Sequence, residues 1–160
     1  MEEITLKYNN LISSLNLFIN DFMNTYKSLL IRDGKKASGN LIKSIGNVNI
    51  TFQNGQINGE ISLASYWKYV EYGRRPGKFP PPDSILDWVK IKPVIPRPNN
   101  NIPTSQNQLA FLIGRKIARE GIKPGNQFNE ALEITWKKWE NNISSAISTD
   151  INEIIQNITL

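Results

Sequence analysis

Tyr66-Trp67-Lys68-Tyr69-Val70-Glu71-Tyr72-Gly73-Arg74-Arg75-Pro76-Gly77-Lys78-Phe79-Pro80-Pro81-Pro82-Asp83-Ser84-Ile85-Leu86-Asp87-Trp88 is the stretch of this 160-residue chain on which its fold and role turn. Its aromatic half, Ala64 to Tyr72, predicts a short helix closed by Gly73, which can adopt the positive φ of a helix end. Arg74, Arg75, Pro76, Gly77 and Lys78 then make a basic turn. Three consecutive prolines cannot continue a helix, but proline can begin one. Asp83 is therefore the expected cap of a helix over Ser84 to Ile91, with Ile85, Leu86, Trp88 and Val89 on its apolar side.

Before this stretch, Ile4, Tyr8, Leu11, Leu15, Phe18, Phe22, Tyr26 and Leu29 recur at three- and four-residue steps, the stripe of one long amphipathic helix. Ile12, Ile19, Met23 and Leu30 widen the stripe, as expected for packing against a sheet or a neighbouring subunit. Asp33-Gly34 should end it. A short helix over Asn40 to Ile45 leads into Val48, Ile50 and Phe52, which alternate with polar residues, as do Ile57, Ile61 and Leu63. Asn54-Gly55 between the two runs predicts a β-hairpin with one wet face.

Beyond it, Lys92 to Thr104 is rich in Pro and Asn and reads as an extended surface loop. Ser105 and Gln108 have capping-box spacing ahead of the apolar face Leu109, Leu112, Ile113 and Ile117. Gly121 ends that helix. After the turn Ile122-Lys123-Pro124-Gly125, Leu132, Trp136, Trp139, Ile143, Ile147, Ile151, Ile154 and Ile158 keep a helical rhythm almost to the C-terminus. Its last third sets Ile among weak helix formers and is expected to fray without a partner.

Composition narrows the chemistry. There is no Cys and no His, which removes disulfides, thiolate metal sites, the commonest zinc ligand and every Ser-His or Cys-His nucleophile. A catalytic reading has to be built from carboxylates, for example a metal-dependent nuclease around Asp33-Gly34-Lys35, where Asp and Gly are also ordinary helix-termination signals. We expect no enzyme and no cofactor. The acidic Met1-Glu2-Glu3 start does not read as a secretory signal, and no apolar run approaches the ~20 residues of a membrane span. A net charge of +5 permits contact with nucleic acid or an acidic protein face.

The order of parts resembles the family of tailed-bacteriophage tail-completion or head-tail joining (neck) proteins. The resemblance rests on Ser38-Gly39-Asn40-Leu41-Ile42-Lys43-Ser44-Ile45, then Tyr69-Val70-Glu71-Tyr72-Gly73-Arg74-Arg75-Pro76, then Pro80-Pro81-Pro82-Asp83-Ser84-Ile85-Leu86-Asp87-Trp88-Val89. A basic helix from Ala110 ending in Gly121-Ile122-Lys123-Pro124 completes it. It implies an α+β fold, a small antiparallel sheet with a β-hairpin flanked by long N-terminal and C-terminal helices. One such domain is expected over residues 1–140, with a C-terminal helical extension over 141–160. It also implies a structural virion protein, assembled in the host cytoplasm as a homo-oligomeric ring that meets other neck, portal or tail proteins.

Aromatic and Arg side chains carry much interface energy. Tyr66, Trp67, Tyr69, Tyr72, Arg74, Arg75, Phe79 and Trp88 are therefore the expected oligomer or partner surface, with the aromatics shared between that surface and the subunit's own core. Arg74 and Arg75 are expected to be exposed. Arg115, Lys116 and Arg119 form a second basic cluster that would line a DNA passage, meet an acidic neighbour, or remain a solvated helix face. A basic nucleic-acid-binding domain acting on its own is the competing function.

Overall fold

The computed structural model of the chain describes residues 8–35, 39–46, 48–53, 56–92 and 105–158. The element order is α1 (Asn9–Arg32), α2 (Asn40–Ser44), β1 (Val48–Gln53), β2 (Gln56–Ile61), α3 (Trp67–Glu71), α4 (Pro82–Ile91), α5 (Gln106–Glu120) and α6 (Gln127–Ile158). Helix predominates. Ile4, the Asn54-Gly55 turn and the loop residues 93–104 lie outside the described residues. The chain divides into two compact units, a helical-pair unit (Met1–Leu29, Ile45–Ser62, Gln127–Leu160) and a motif unit (Leu30–Ser44, Leu63–Asn126).

In the helical-pair unit, the α1 stripe buries Leu11, Phe22, Met23, Tyr26 and Leu29. Its aromatics meet those of α6: Phe18 lies edge-on to Trp136 at 6.2 Å, and Phe22 and Tyr26 pack against Phe128 at 5.0 and 5.5 Å. Partners on α6 fall in number as those on α1 rise, so the helices are antiparallel. Polar contacts fix the register. Asp21 accepts from Lys138 Nζ at 2.7 Å and Trp139 Nε1 at 2.8 Å. Asp150 accepts from the Asn10 amide at 3.1 Å, the Asn10 side chain at 2.8 Å and the Leu11 amide at 2.8 Å. Asn10 to Asp21 and Trp139 to Asp150 are equal sequence intervals, each about 16 Å of helix at 1.5 Å per residue. The two helices therefore stay in step between the clamps.

Asp150 is fully buried, which would be costly for an unpaired carboxylate. The first amides of a helix lack partners inside it, and they carry the positive end of its dipole. The Asp150 carboxylate supplies both needs for α1 from a distant point in the chain. Burial pushes its carboxyl up, but the Leu11 amide, the Asn10 side chain and the Asn10 amide outweigh that and hold it below the usual range. Asp21 is also lowered, chiefly by the hydrogen bond from Lys138 and then by that from Trp139.

The C-terminal helix shows no break near residue 140. α6 runs on to Ile158, and Ile143 and Asp150 are buried within it. Its last third has a partner in α1 and supplies the α1 clamp through Asp150. β1 and β2 pair antiparallel from Val48 opposite Ile61 to Gln53 opposite Gln56. This ribbon is no sheet layer: β2 is exposed along nearly its whole length, and Gly59 rests near Ile19 of α1. The expected α+β class therefore holds in its helical part, the long N- and C-terminal helices, while the sheet expected between them is not a core element.

In the motif unit, α1 ends as the Asp33-Gly34 signal predicts. Gly34 has φ +62°, its amide donates to Ile31 O, and Lys35 N donates to Leu30 O, the paired bonds of a Schellman end. Ser44 donates to Leu41 O and accepts from the Ala64 amide, fastening α2 to the chain that enters α3. The capping box at Ser105 and Gln108 forms in both directions at α5. α4 begins earlier than expected: Pro82 is its first residue, Pro81 takes the cap position without a side-chain bond, and Asp83 falls inside the first turn. Proline's fixed φ already suits the first helical position, and Asp83 there faces the positive helix end.

Candidate functional site

The centre of the motif unit is a backbone clasp. Arg74 N donates to Ile122 O at 2.9 Å and Ile122 N donates to Arg74 O at 2.8 Å, an isolated antiparallel bridge. Gly77 N reaches Ala118 O on α5, and Gly125 N reaches the Val70 and Glu71 carbonyls at the end of α3. Thus the Tyr69–Pro76 motif and the Gly121–Pro124 motif, far apart in sequence, form one structure. Gly73 (φ +69°) and Gly121 (φ +76°) make it feasible. A Cβ at Gly73 would overlap the Ile122 carbonyl, and one at Gly121 would overlap the Arg74 carbonyl, so neither place admits a side chain.

Around the clasp the aromatics face outward. Tyr66, Tyr69, Tyr72, Phe79 and Trp88 are all exposed, Tyr72 by 62%. Trp67 is half-buried and packs at 5.7 Å from Tyr72. The aromatics are shared between surface and packing: Tyr72 is the most exposed, whereas Trp67, Phe79 and Trp88 are each more than half covered. Phe79 lies over Gly114, where a Cβ would strike its ring, and stacks on Phe111 at 5.7 Å. Phe111 is 58% exposed and is a member of this surface that sequence reasoning missed. The signal was available: Phe111 stands off the Leu109-Ile113-Ile117 stripe and one turn before Arg115.

The arginine pair is divided. Arg75 is exposed, but Arg74 is only partly so, and its guanidinium donates to Lys78 O at 2.7 Å. The expectation that both are free surface charges is corrected for Arg74: its backbone forms the bridge and its side chain braces the turn. Arg115, Lys116 and Arg119 are all exposed on α5. Arg119 hydrogen-bonds its neighbour Glu120, and Lys116 lies 3.9 Å from the same carboxyl. The Arg119 contact holds the Glu120 carboxyl below its ordinary value. Asp33, the core of the nuclease alternative, pairs with Arg32 at 2.7 Å, and Gly34 serves the helix end.

Charge is unevenly divided between the units. Of the 19 Lys and Arg, 15 fall in the motif unit, with 5 of the 14 Asp and Glu, for a net +10. The remaining 4 and 9 leave the helical-pair unit at −5. The overall +5 therefore hides a strongly polar chain. Among the described residues no helix is long and apolar enough to cross a membrane. No family model, curated protein or solved structure matches this chain.

Proposed function

We propose that this chain is a structural virion protein of a tailed bacteriophage, acting in the neck or tail to join or complete the head-tail connection as a ring of identical copies. The observation that carries the reading is the clasp with its outward aromatics. Two motifs on which the family resemblance rests meet at one backbone bridge, and the aromatic side chains they hold point to solvent instead of a core. Exposed aromatics beside arginines are the composition of a protein interface, and a free monomer gains nothing from them. Its partners are then further copies of itself and other neck, portal or tail proteins, with no catalytic step and no cofactor, and its location is the virion. In such a ring the exposed edge of the β1–β2 ribbon gains a neighbouring strand, which would extend it into the small antiparallel sheet expected of the class. Negative-stain electron microscopy of the purified protein, together with protein analysis of phage particles, tests this. Rings and virion incorporation are expected, and a strict monomer absent from particles refutes it.

The +10 motif unit favours a second reading, a basic nucleic-acid-binding domain. Phosphate contacts from Arg115, Lys116 and Arg119 would be sequence-independent and would weaken steeply with salt. A duplex-DNA titration at low and high salt decides it: no binding at low salt removes it.

A further inference from the structure

We infer that copies of this chain associate head to tail, the basic α5 surface of one docking on the acidic-apolar outer face of α6 in the next. On α5, Phe111, Arg115 and Arg119 follow at four-residue steps, all exposed, so they form one row with an apolar end and a basic end. On α6, Glu133, Glu140 and Ile147 are seven residues apart, which returns to the same face, and Ile151 continues that face a turn later. All four are exposed, Ile147 and Ile151 by 37% and 45%. Lys137, also exposed, stands between the two glutamates on this face, so the row has a mixed, net acidic end and an apolar end. The two rows are complementary in kind: charge can meet opposite charge while phenyl meets isoleucine.

The same features select the occupant. Contact between two copies of the same face would set basic on basic or acidic on acidic, and like charges brought together repel. Head-to-tail contact matches them, and it is the arrangement that generates rings or filaments. Nucleic acid fits the basic row but leaves the acidic one unused. The inference rests on the self-assembly part of the reading above and adds which faces meet.

Charge exchange tests it on the full chain. Arg115→Glu/Arg119→Glu and Glu133→Lys/Glu140→Lys alter exposed side chains, and circular dichroism verifies that each variant is folded. Light scattering is expected to show wild-type assembly at low salt that weakens toward ~1 M, where the screening length falls to about 3 Å. Each double variant alone should be monomeric. Mixed in equal amounts they should assemble, and the quadruple variant should assemble with itself, since both pairings restore opposite charges. Wild-type rings unaffected by either exchange overturn the inference while leaving ring assembly intact. A monomeric wild type overturns both. Loss of duplex-DNA binding in Arg115→Glu/Arg119→Glu, with assembly unchanged, assigns the α5 row to nucleic acid and overturns it as well.

Discussion

Replacing Asp150 removes a carboxylate that caps α1 from 139 residues away along the chain, the separation of its bond to Leu11. In Asp150→Ala the Leu11 amide loses its acceptor in a buried site, while the exposed Asn10 loses the acceptor of its amide and the nearer of two for its side chain, with Glu153 remaining at 3.4 Å. Each unmet donor costs about 1–3 kcal/mol, and a lost helix cap about 0.5–2 kcal/mol; because the three bonds share one carboxylate, a combined loss of about 2–4 kcal/mol is expected. For a chain of this length that lowers Tm by roughly 5–15 °C. Asp150→Asn keeps one acceptor oxygen but loses the charge facing the helix dipole, and should cost about 1–2 kcal/mol. Urea unfolding followed by circular dichroism measures both. The pH dependence has a definite sign. The folded carboxyl is held below its ordinary value, so between the folded and unfolded pKa the unfolded chain binds more protons and stability rises with pH. The difference between wild type and Asp150→Ala should therefore be constant above the ordinary Asp range near pH 4, and shrink as pH falls through it. If both variants unfold within about 0.5 kcal/mol of wild type, the remote cap is refuted.

Three further predictions follow from single contacts. Gly121→Ala and Gly73→Ala place a Cβ on opposing backbone at positive φ and should disrupt the motif unit, whereas Gly34→Ala, at φ +62° but in open space, should cost only about 1 kcal/mol, measured by thermal unfolding. Arg75→Glu should leave the fold intact and impair assembly, while Arg74→Glu should also cost about 1 kcal/mol through the lost Lys78 carbonyl bond; equal stability of the two variants refutes the division of the pair. At Asp21, Lys138→Met should change stability by less than about 1 kcal/mol because the lysine is largely exposed, whereas Trp139→Phe should cost about 1 kcal/mol or more through a part-buried hydrogen bond that added salt does not replace.

How much of this was legible in the sequence depends on the range of the interaction. The α1 stripe, its Asp33-Gly34 end, the Ser105-Gln108 capping box and the Gly121 stop are set by neighbours within four or five residues, and all were readable. The clasp was not. Its two glycines are each legible as turn residues, but nothing local says that the carbonyl blocking Gly73 belongs to Ile122, or the one blocking Gly121 to Arg74. Asp150 was hidden for the same reason: an acidic residue late in a helix looks unfavourable by local rules, and only its encounter with another helix's N-terminus reverses that. Arg74 was misread because a charged pair beside Gly and Pro signals exposure, and the Lys78 carbonyl that engages one member is invisible in composition. β1 and β2 pair, but the alternation expected to give them one buried face does not appear in β2, and alternation carries no information on whether a third strand joins them.

The distribution of buried side chains implies that the two units differ in how far they stand by themselves. Among the described residues, the helical-pair unit buries Leu11, Phe22, Met23, Tyr26, Leu29, Ile45, Ala131 and Ile143, whereas the motif unit buries Leu30, Leu41, Pro80, Val89 and Ala110 among its apolar residues. Hydrophobic burial of about 1.5–3 kcal/mol per large side chain is thus concentrated in the first. The motif unit leans instead on backbone bonds through the clasp, each worth only about 0.5–1.5 kcal/mol net, and leaves Tyr66, Tyr69, Tyr72 and Phe111 exposed to water. Regions with few buried apolar contacts open locally below the global unfolding free energy, and binding to the closed form suppresses that opening. Amide hydrogen exchange should accordingly show α1 and α6 as the slowest segments of the isolated chain, including the Asn10 and Leu11 amides held by Asp150. α3 and α4 should exchange much faster in the monomer and slow by an order of magnitude or more on assembly, as their outward aromatics become core. Equal protection of both units in the monomer, or no slowing of α3 and α4 when copies associate, would show that these aromatics are surface ornaments of a self-sufficient fold.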